Sequence, residues 1–273
     1  IIIANRMAAI ADYVFGLPAS EIAVLTSWLG IIAYTFQIYF DFSGYSDMAI
    51  GLGRMFGFEF EENFNYPYIS NSISEFWRRW HMSLGVWFRD YVYFPLGGSR
   101  VDTKFQLYRN LFIVWFLTGL WHGASWNFAV WGIYYFLLLA IEKTFIKKKP
   151  KEYSPFKNLI VMIFVIIGWV FFRVEDLSEA IIYIRNMFML QGTPLTDYNT
   201  SFYFVGRLRE FIIAFICSLP IVPLLKAVYR RIKNKYLKLA ADAAQMVFIL
   251  AVFAISVINL VNESYNPFIY FRF

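Results

Sequence analysis

Long apolar runs alternate with shorter polar stretches along the chain, a pattern typical of membrane-spanning helices. The run over residues 22–58 is mostly apolar, but its second half contains three charged side chains, Asp41, Asp47 and Arg54. We predict a membrane span that ends near Phe40 and a second helix that carries the charged groups. Three later runs are apolar and at the short end for a full span, namely residues 159–172, 211–225 and 246–261.

Two of the charged groups of the first run lie on a common helical face, which contains Ser43, Asp47, Ile50 and Arg54. Asp47 and Arg54 are two turns apart, which is too far for a direct pair, so each is expected to find partners on other helices. Because charges inside a membrane are usually paired, a structural polar network is favoured, although an ion path fits the same pattern.

A helix-start signal lies in the polar and aromatic stretch over residues 59–110. Ser72 and Glu75 have the spacing of a capping box, in which the hydroxyl and the carboxylate accept hydrogen bonds from free amides. The helix is predicted to continue to about Phe94, because Pro95 and a glycine pair follow. Helical spacing then places four residues in one stripe, Arg78, His81, Gly85 and Arg89. The stripe fits either a site for an anionic or thioester-bearing group or an interfacial helix at the lipid headgroups.

The apolar stretch over residues 111–141 is too long for one untilted span and too short for two. Its centre reads Trp-His-Gly-Ala-Ser over residues 121–125. We predict two short or tilted helices that meet at a break, with His122 at or beside the junction. Non-helical backbone at membrane depth is tolerated only where protein or a water-filled cavity shields it. The break therefore implies a cavity.

The composition supports a membrane protein. Hydrophobic residues make up 59% of the 273 residues, aromatic residues 22% and charged residues 16%. Soluble domains average about 45–50% apolar and about 25% charged residues, so disorder is excluded and a soluble domain is disfavoured. We predict an all-α, polytopic transmembrane helical bundle in one domain over residues 1–273, with short, tilted or broken helices.

The formal net charge of +6 comes from basic residues between apolar segments, so it does not indicate nucleic-acid binding. Residues 142–157 and 226–241 are rich in lysine and arginine, whereas residues 173–206 carry both signs of charge. The positive-inside rule predicts that the two basic loops are cytoplasmic. The stretch over residues 191–201 is then an external loop.

The cysteine content and the first residue of the chain are also informative. The single cysteine, Cys217, cannot form an intrachain disulfide, and no CxxC pair indicates a zinc site. The chain begins at Ile1, in the middle of an apolar stretch, from which we expect a fragment that lacks its natural amino terminus.

The two histidines, His81 and His122, are the best candidates for chemistry, because an imidazole can take up and return a proton near neutral pH. His122 is followed by Gly123 and Ala124, whose small size permits a substrate or backbone to approach the ring. The alternative is a histidine hydrogen-bonded to a carbonyl on a neighbouring helix. An ionisable group at membrane depth is by default a functional hypothesis.

Several common catalytic motifs are absent from the sequence. It contains no GxSxG elbow, Walker loop, HExxH pair or Cys-His cluster, so neither a covalent nucleophile nor a metal site is indicated. Base-assisted transfer of a group directly to a substrate hydroxyl is the simplest chemistry for one histidine. Two rivals remain: a secondary transporter or channel, suggested by the broken segment and the charged residues of the first run, and a non-catalytic membrane scaffold.

Three separated motifs carry a family resemblance. FDFSGYSDMAIGLG (residues 40–53), the segment from NFNYPY to FPLGG (residues 63–98) and GLWHGASWNFAVWG (residues 119–132) resemble the membrane-bound O-acyltransferases. The chain is most similar to the bacterial alginate O-acetyltransferase branch, which includes peptidoglycan O-acetyltransferases, and the ending NPFIYFRF (residues 266–273) resembles the same branch. The D-alanyl-transferring teichoic-acid branch shares the WH-containing helix and the WHG motif.

The resemblance implies which residues are functional and what surrounds them. His122 matches the family's catalytic histidine and His81 its second functional histidine, around a tunnel or funnel where donor and acceptor meet. Substrate binding is expected at four nearby residues, Arg78, Arg89, Trp121 and Asn127.

The implied donor is a cytoplasmic acetyl thioester, acetyl-CoA above all, with no tightly bound cofactor and no metal. The implied acceptor is a hydroxyl of an exported polysaccharide. A secreted or membrane-anchored partner acetyltransferase would complete the transfer, and the chain would lie among the lipids of the bacterial cell membrane.

Overall fold

The computed structural model describes residues 1–146 and 153–262, which contain no strand. These residues form twelve α-helices: α1 (Ala4–Phe15), α2 (Val24–Met55), α3 (Ile73–Trp77), α4 (Met82–Phe88), α5 (Lys104–His122), α6 (Trp126–Phe145), α7 (Pro155–Arg173), α8 (Leu177–Met187), α9 (Tyr198–Gly206), α10 (Leu208–Ser218), α11 (Ile221–Arg231) and α12 (Lys235–Asn262). The predicted all-α class is confirmed.

Several of these helices have the length and apolarity of membrane spans. Within the described residues, α6, α7 and α12 each qualify, and α10 together with α11 makes a fourth candidate that is bent by 63°. None of the side chains of α12 is buried, as expected for a helix surrounded by lipid. The chain is therefore a helical membrane protein, as predicted.

The prediction of two helices over residues 22–58 is wrong. The structure has one continuous helix, α2, of 32 residues. Charged side chains do not end a helix, and the segment contains no proline to break one. The amino-terminal half of α2 is buried in the core, whereas Met48, Leu52 and Met55 at the other end are exposed.

The expected partners of the charged groups on α2 are only partly found. Arg54 pairs with Glu62 at 3.8 Å, and both side chains are more than 60% exposed. Glu62 belongs to the segment that follows α2 and not to another helix, so the predicted interhelical partner of Arg54 is wrong.

The helix predicted to run from Ser72 to about Phe94 starts where expected but breaks early. Ser72 Oγ accepts a hydrogen bond from the Glu75 amide at 3.0 Å. The chain then leaves the helix after Trp77 and re-enters it at Met82, and a π-helical turn covers Arg89–Tyr93. The four-residue stripe predicted on this helix therefore does not lie on one helical face.

Tertiary hydrogen bonds explain the break. The Met82 amide donates to the Asn63 carbonyl at 3.0 Å, and the Arg79 carbonyl accepts from the Asn65 amide at 2.9 Å. These backbone groups are thus bonded to another segment instead of continuing the helix.

Helix α3 is also stabilised by a residue that is far away in the sequence. Glu142 Oε2, in the last turn of α6, accepts hydrogen bonds from the amides of Ile73 at 2.7 Å and Ser74 at 3.2 Å. A carboxylate at a helix amino terminus satisfies free amides and meets the positive end of the helix dipole.

Replacing Glu142 by alanine is expected to leave these amides without their partner and to destabilise the protein by about 1 kcal/mol, the usual effect of losing a helix cap. The measurement is the thermal unfolding midpoint of the detergent-solubilised protein. Lys143→Ala, on the exposed side of the same turn, is the matched control and is expected to leave the midpoint unchanged. Equal midpoints for Glu142→Ala and the native protein would show that the cap contributes nothing.

The predicted pair of helices around residues 111–141 is confirmed. Helix α5 ends at His122 and α6 begins at Trp126, and the two form an antiparallel hairpin. Gly119 and Gly132 lie where the helices are closest, since a Cβ atom on Gly119 would lie only 3.4 Å from the Gly132 Cα. Two glycines facing each other allow the backbones to approach this closely.

Three predictions about the later segments need correction. The run over residues 211–225 is not one helix, because Pro220 separates α10 from α11. Residues 226–241 are not a loop, because most of them lie in α11 and α12. Of the predicted external loop, residues 198–201 lie in α9.

Some sequence predictions fall outside the described residues. They concern most of the lysines of the first basic loop, Lys147, Lys148, Lys149 and Lys151, and the ending over residues 266–273. The orientation of the loops across the membrane and the single-domain boundary both stay predictions.

Candidate active site

His122 is the last residue of α5, at the junction with α6. Four aromatic rings lie around its imidazole, with centroids 5.0–6.2 Å away, and belong to Trp121, Phe128, Trp131 and Phe172. The rings come from α5, α6 and α7, so three helices fix the position of the imidazole.

The small size of Gly123 makes room for an aromatic ring and not for a substrate, which was the expectation. A Cβ atom at this position would overlap the Phe128 ring. The space beside Gly123 is therefore filled by Phe128, which stacks on His122, and not by a substrate.

His81 is placed by a distorted stretch of backbone. It stands at the amino-terminal end of α4 with φ 46° and ψ 53°, in the left-handed region that non-glycine residues seldom adopt. Its Nδ1 lies 3.2 Å from Asn63 Oδ1, and its ring packs edge-on against Phe42 at 4.7 Å. Contacts from two other segments thus define the orientation of this imidazole.

The fold brings the two histidines together. The Trp121 indole contacts both imidazoles, with centroid distances of 6.1 Å to His81 and 5.0 Å to His122. Both histidines also line one cavity of about 740 Å³. The cavity that the helix break implied is therefore present, and both candidate residues face it.

The cavity is polar at one side and apolar at the other. Four exposed charged residues line its outer part, Glu61, Glu62, Arg78 and Arg89. The inner part is lined by buried aromatic side chains, among them Trp80, Trp131, Trp169 and Phe172. A ligand with a charged end and an apolar body matches this arrangement.

The four predicted substrate-binding residues differ in their position relative to the cavity. Arg78 and Arg89 line the cavity, and Arg89 also bonds Asp90 at 2.7 Å on the exposed side. Trp121 lies against both imidazoles and is 55% exposed. Asn127 does not line the cavity. It is buried, and its Nδ2 donates to the Val174 carbonyl, which ties the start of α6 to the end of α7.

Other site residues have no signal that sequence reasoning could use. Asn63 contacts His81 across 18 positions of sequence, and Phe172 contacts His122 from a helix that reads as a plain apolar run. Among the described residues, no group of three or more His, Cys, Asp or Glu side chains is placed to hold a metal ion.

Comparison with known proteins finds a family match over the part of the chain that contains this site. The family described as MBOAT, membrane-bound O-acyltransferase family, matches residues 15–175, which is more than half of the chain and includes both histidines. The probable alginate O-acetylase AlgI of Azotobacter vinelandii is 42% identical over 299 aligned residues, covering 100% of this chain and 59% of the relative. The chain thus spans about three fifths of the length of that relative.

Two further relatives have related names. The peptidoglycan O-acetyltransferase of Helicobacter pylori is 35% identical over 215 residues, covering 77% of this chain and 40% of the relative. The teichoic acid D-alanyltransferase of Bacillus subtilis is 34% identical over 149 residues, covering 52% of this chain and 38% of the relative. The family match and these identities show that the chain belongs to the membrane-bound O-acyltransferase family.

Proposed function

We propose that the protein containing this chain transfers an acetyl group from a thioester donor to a hydroxyl group on the route to an exported polysaccharide. The observation that supports the proposal best is the pair of imidazoles lining one cavity beside the helix break. The names of the relatives point to acetyl as the group and to a cell-envelope glycan as the acceptor.

In the proposed reaction, His122 acts as general base. It removes the proton from the acceptor hydroxyl while the oxygen attacks the carbonyl carbon of the thioester. A carbon–oxygen bond forms, the carbon–sulfur bond breaks, and the proton passes from the imidazolium to the leaving thiolate, which yields an ester and a free thiol. General base catalysis contributes roughly 10²–10⁴ in rate, so orientation of the two substrates supplies much of the remainder.

The remaining cavity residues bind and orient the substrates. Arg78 and Arg89 lie at the exposed side of the cavity, where guanidinium groups attract a negatively charged donor such as acetyl-CoA. The aromatic inner part accommodates an apolar arm next to His122. His81 orients the reacting group through a hydrogen bond.

The proposal extends to location and partners. We place the protein in the bacterial cell membrane, where a donor from the cytoplasm and an acceptor outside can reach one cavity. A secreted or membrane-anchored partner acetyltransferase completes the transfer to the polysaccharide.

The proposal is tested with the full-length protein in proteoliposomes supplied with acetyl-CoA that is radiolabelled in the acetyl group. We expect release of free CoA thiol together with transfer of the label to an added glycan or to co-reconstituted partner protein. Liposomes without protein correct for spontaneous hydrolysis. Ion-driven solute uptake with no cleavage of acetyl-CoA would instead support a transporter.

A further inference from the structure

Asn63, in the segment between α2 and α3, bonds to the region around His81 through both its backbone and its side chain. Its carbonyl accepts from the Met82 amide at 3.0 Å. Its Oδ1 lies 3.2 Å from His81 Nδ1, 3.2 Å from the Ser83 amide nitrogen and 3.0 Å from Ser83 Oγ. One asparagine thus holds three consecutive residues at the start of α4.

The orientation of the Asn63 amide follows from its partners. A backbone N–H can only donate, so the atom that faces the Ser83 amide must be the oxygen of Asn63 and not its nitrogen. The other end agrees, because Asn63 Nδ2 lies 3.0 Å from Ser46 Oγ on α2, which can accept a hydrogen bond. The buried Ser46 therefore supports the same orientation from the opposite side.

This orientation determines which nitrogen of His81 carries the proton. Asn63 Oδ1 is an acceptor, and two acceptors cannot face each other at 3.2 Å. Ser83 Oγ lies 3.5 Å from the same nitrogen, but its proton is donated to Asn63 Oδ1 at 3.0 Å, so His81 Nδ1 must be the donor. In a neutral imidazole the other nitrogen then has a free lone pair. Asn63 does not line the cavity, whereas His81 does, so Nε2 is the nitrogen left for a ligand.

We propose that Asn63 is a positioning residue that holds His81 as the Nδ1–H tautomer and presents Nε2 to the cavity as a hydrogen-bond acceptor. The catalytic meaning of this inference rests on the proposed acetyl transfer. In that reaction, an acceptor nitrogen beside His122 orients the substrate hydroxyl by accepting its hydrogen bond, whereas the opposite tautomer would present an N–H group.

Asn63 also caps α4. A test must therefore separate the loss of this cap from the change in the His81 tautomer. His81 makes no side-chain cap for α4, so Asn63 Oδ1 satisfies one of the free amides at its amino terminus. Asp176 has the same capping role at α8, where its Oδ1 accepts from the Glu179 amide at 2.9 Å outside the cavity. Asp176→Ala is therefore a matched control for loss of a cap alone.

The test reads the tautomer directly, without any substrate. The full-length protein is labelled with ¹⁵N-histidine, placed in lipid bilayers at mildly alkaline pH and studied by solid-state NMR, with His81→Gln used to assign the His81 signals. We expect a protonated Nδ1 and an unprotonated Nε2 in the native protein, in Asn63→Asp and in Asp176→Ala. Asn63→Leu is expected to lose this single tautomer.

An activity assay provides a second test of the role of Asn63. Asn63→Leu is expected to lower kcat on the order of 10–100-fold, the range found when the hydrogen-bond partner that orients a metal-bound histidine is removed, and Asn63→Asp is expected to restore most of it. Asp176→Ala is expected to leave kcat unchanged.

The native tautomer alone can overturn the inference, even if Asn63→Leu does not fold. A protonated Nε2 in the native protein, or an unchanged tautomer in folded Asn63→Leu, would refute it. If acetyl transfer itself is not found, the NMR result still decides the tautomer, so the two failures can be told apart.

Discussion

Replacing His122 by alanine is expected to abolish acetyl transfer while the protein stays in the membrane at its normal level. The imidazole lies at the end of α5 among four aromatic rings that cannot act as bases, and the other imidazole of the cavity, His81, is held in its own place by Asn63. Loss of general base catalysis alone lowers the rate by about 10²–10⁴. The measurements are the acetyl content of the glycan in cells and the turnover of labelled acetyl-CoA in proteoliposomes.

Two variants make this result specific. His122→Gln keeps much of the volume and hydrogen-bonding capacity of the side chain but cannot take up a proton near neutral pH, so it is expected to be as inactive as the alanine variant. His81→Ala removes a binding group and not the base, so a smaller loss is expected. Normal acetylation by His122→Ala would refute the assignment and favour a scaffold that only recruits the partner enzyme.

Local signals in the sequence predicted the parts of the fold that depend on neighbouring residues. Ser72 starts a helix because its hydroxyl reaches an amide three residues away. The break after His122 follows from a hydrophobic stretch of unsuitable length and from a glycine at its centre. Both features could be read from spacing and residue type, whereas the expectation that the two histidines act together came from the family resemblance.

Features that depend on distant contacts could not be predicted in this way. The helix after Ser72 ends at Trp77 because Asn63 and Asn65 bond its backbone, and no local pattern reports such bonds. The same contact makes Asn63 a neighbour of His81. Asn127 is expected from the family resemblance to bind substrate, but its side chain bonds the Val174 carbonyl, a contact that no local pattern reports.

Replacing Gly132 by valine is expected to lower acetyl transfer by about 10²-fold or more, although the residue does not line the cavity. A Cβ atom at Gly132 would overlap the carbonyl oxygen of Trp115 on α5. A carbonyl within a helix cannot rotate away as a side chain can, so α5 and α6 must separate. His122 lies two turns beyond Trp115 and moves with α5, and a displacement of about 1 Å at a reacting group costs on the order of 10²-fold in rate.

Two alanine variants provide the controls, one with a smaller substituent at the same position and one at a position with open space. Gly132→Ala already places a Cβ against the carbonyl, so it is expected to lose activity, but less than valine does. Gly206→Ala, at the end of α9, adds the same methyl group where no atom lies within 4 Å, and it is expected to be fully active. Both Gly132 variants are also expected to lower the thermal unfolding midpoint, because overpacking costs about 1–3 kcal/mol. Full activity in Gly132→Val would mean that the close contact of α5 with α6 does not determine where His122 lies.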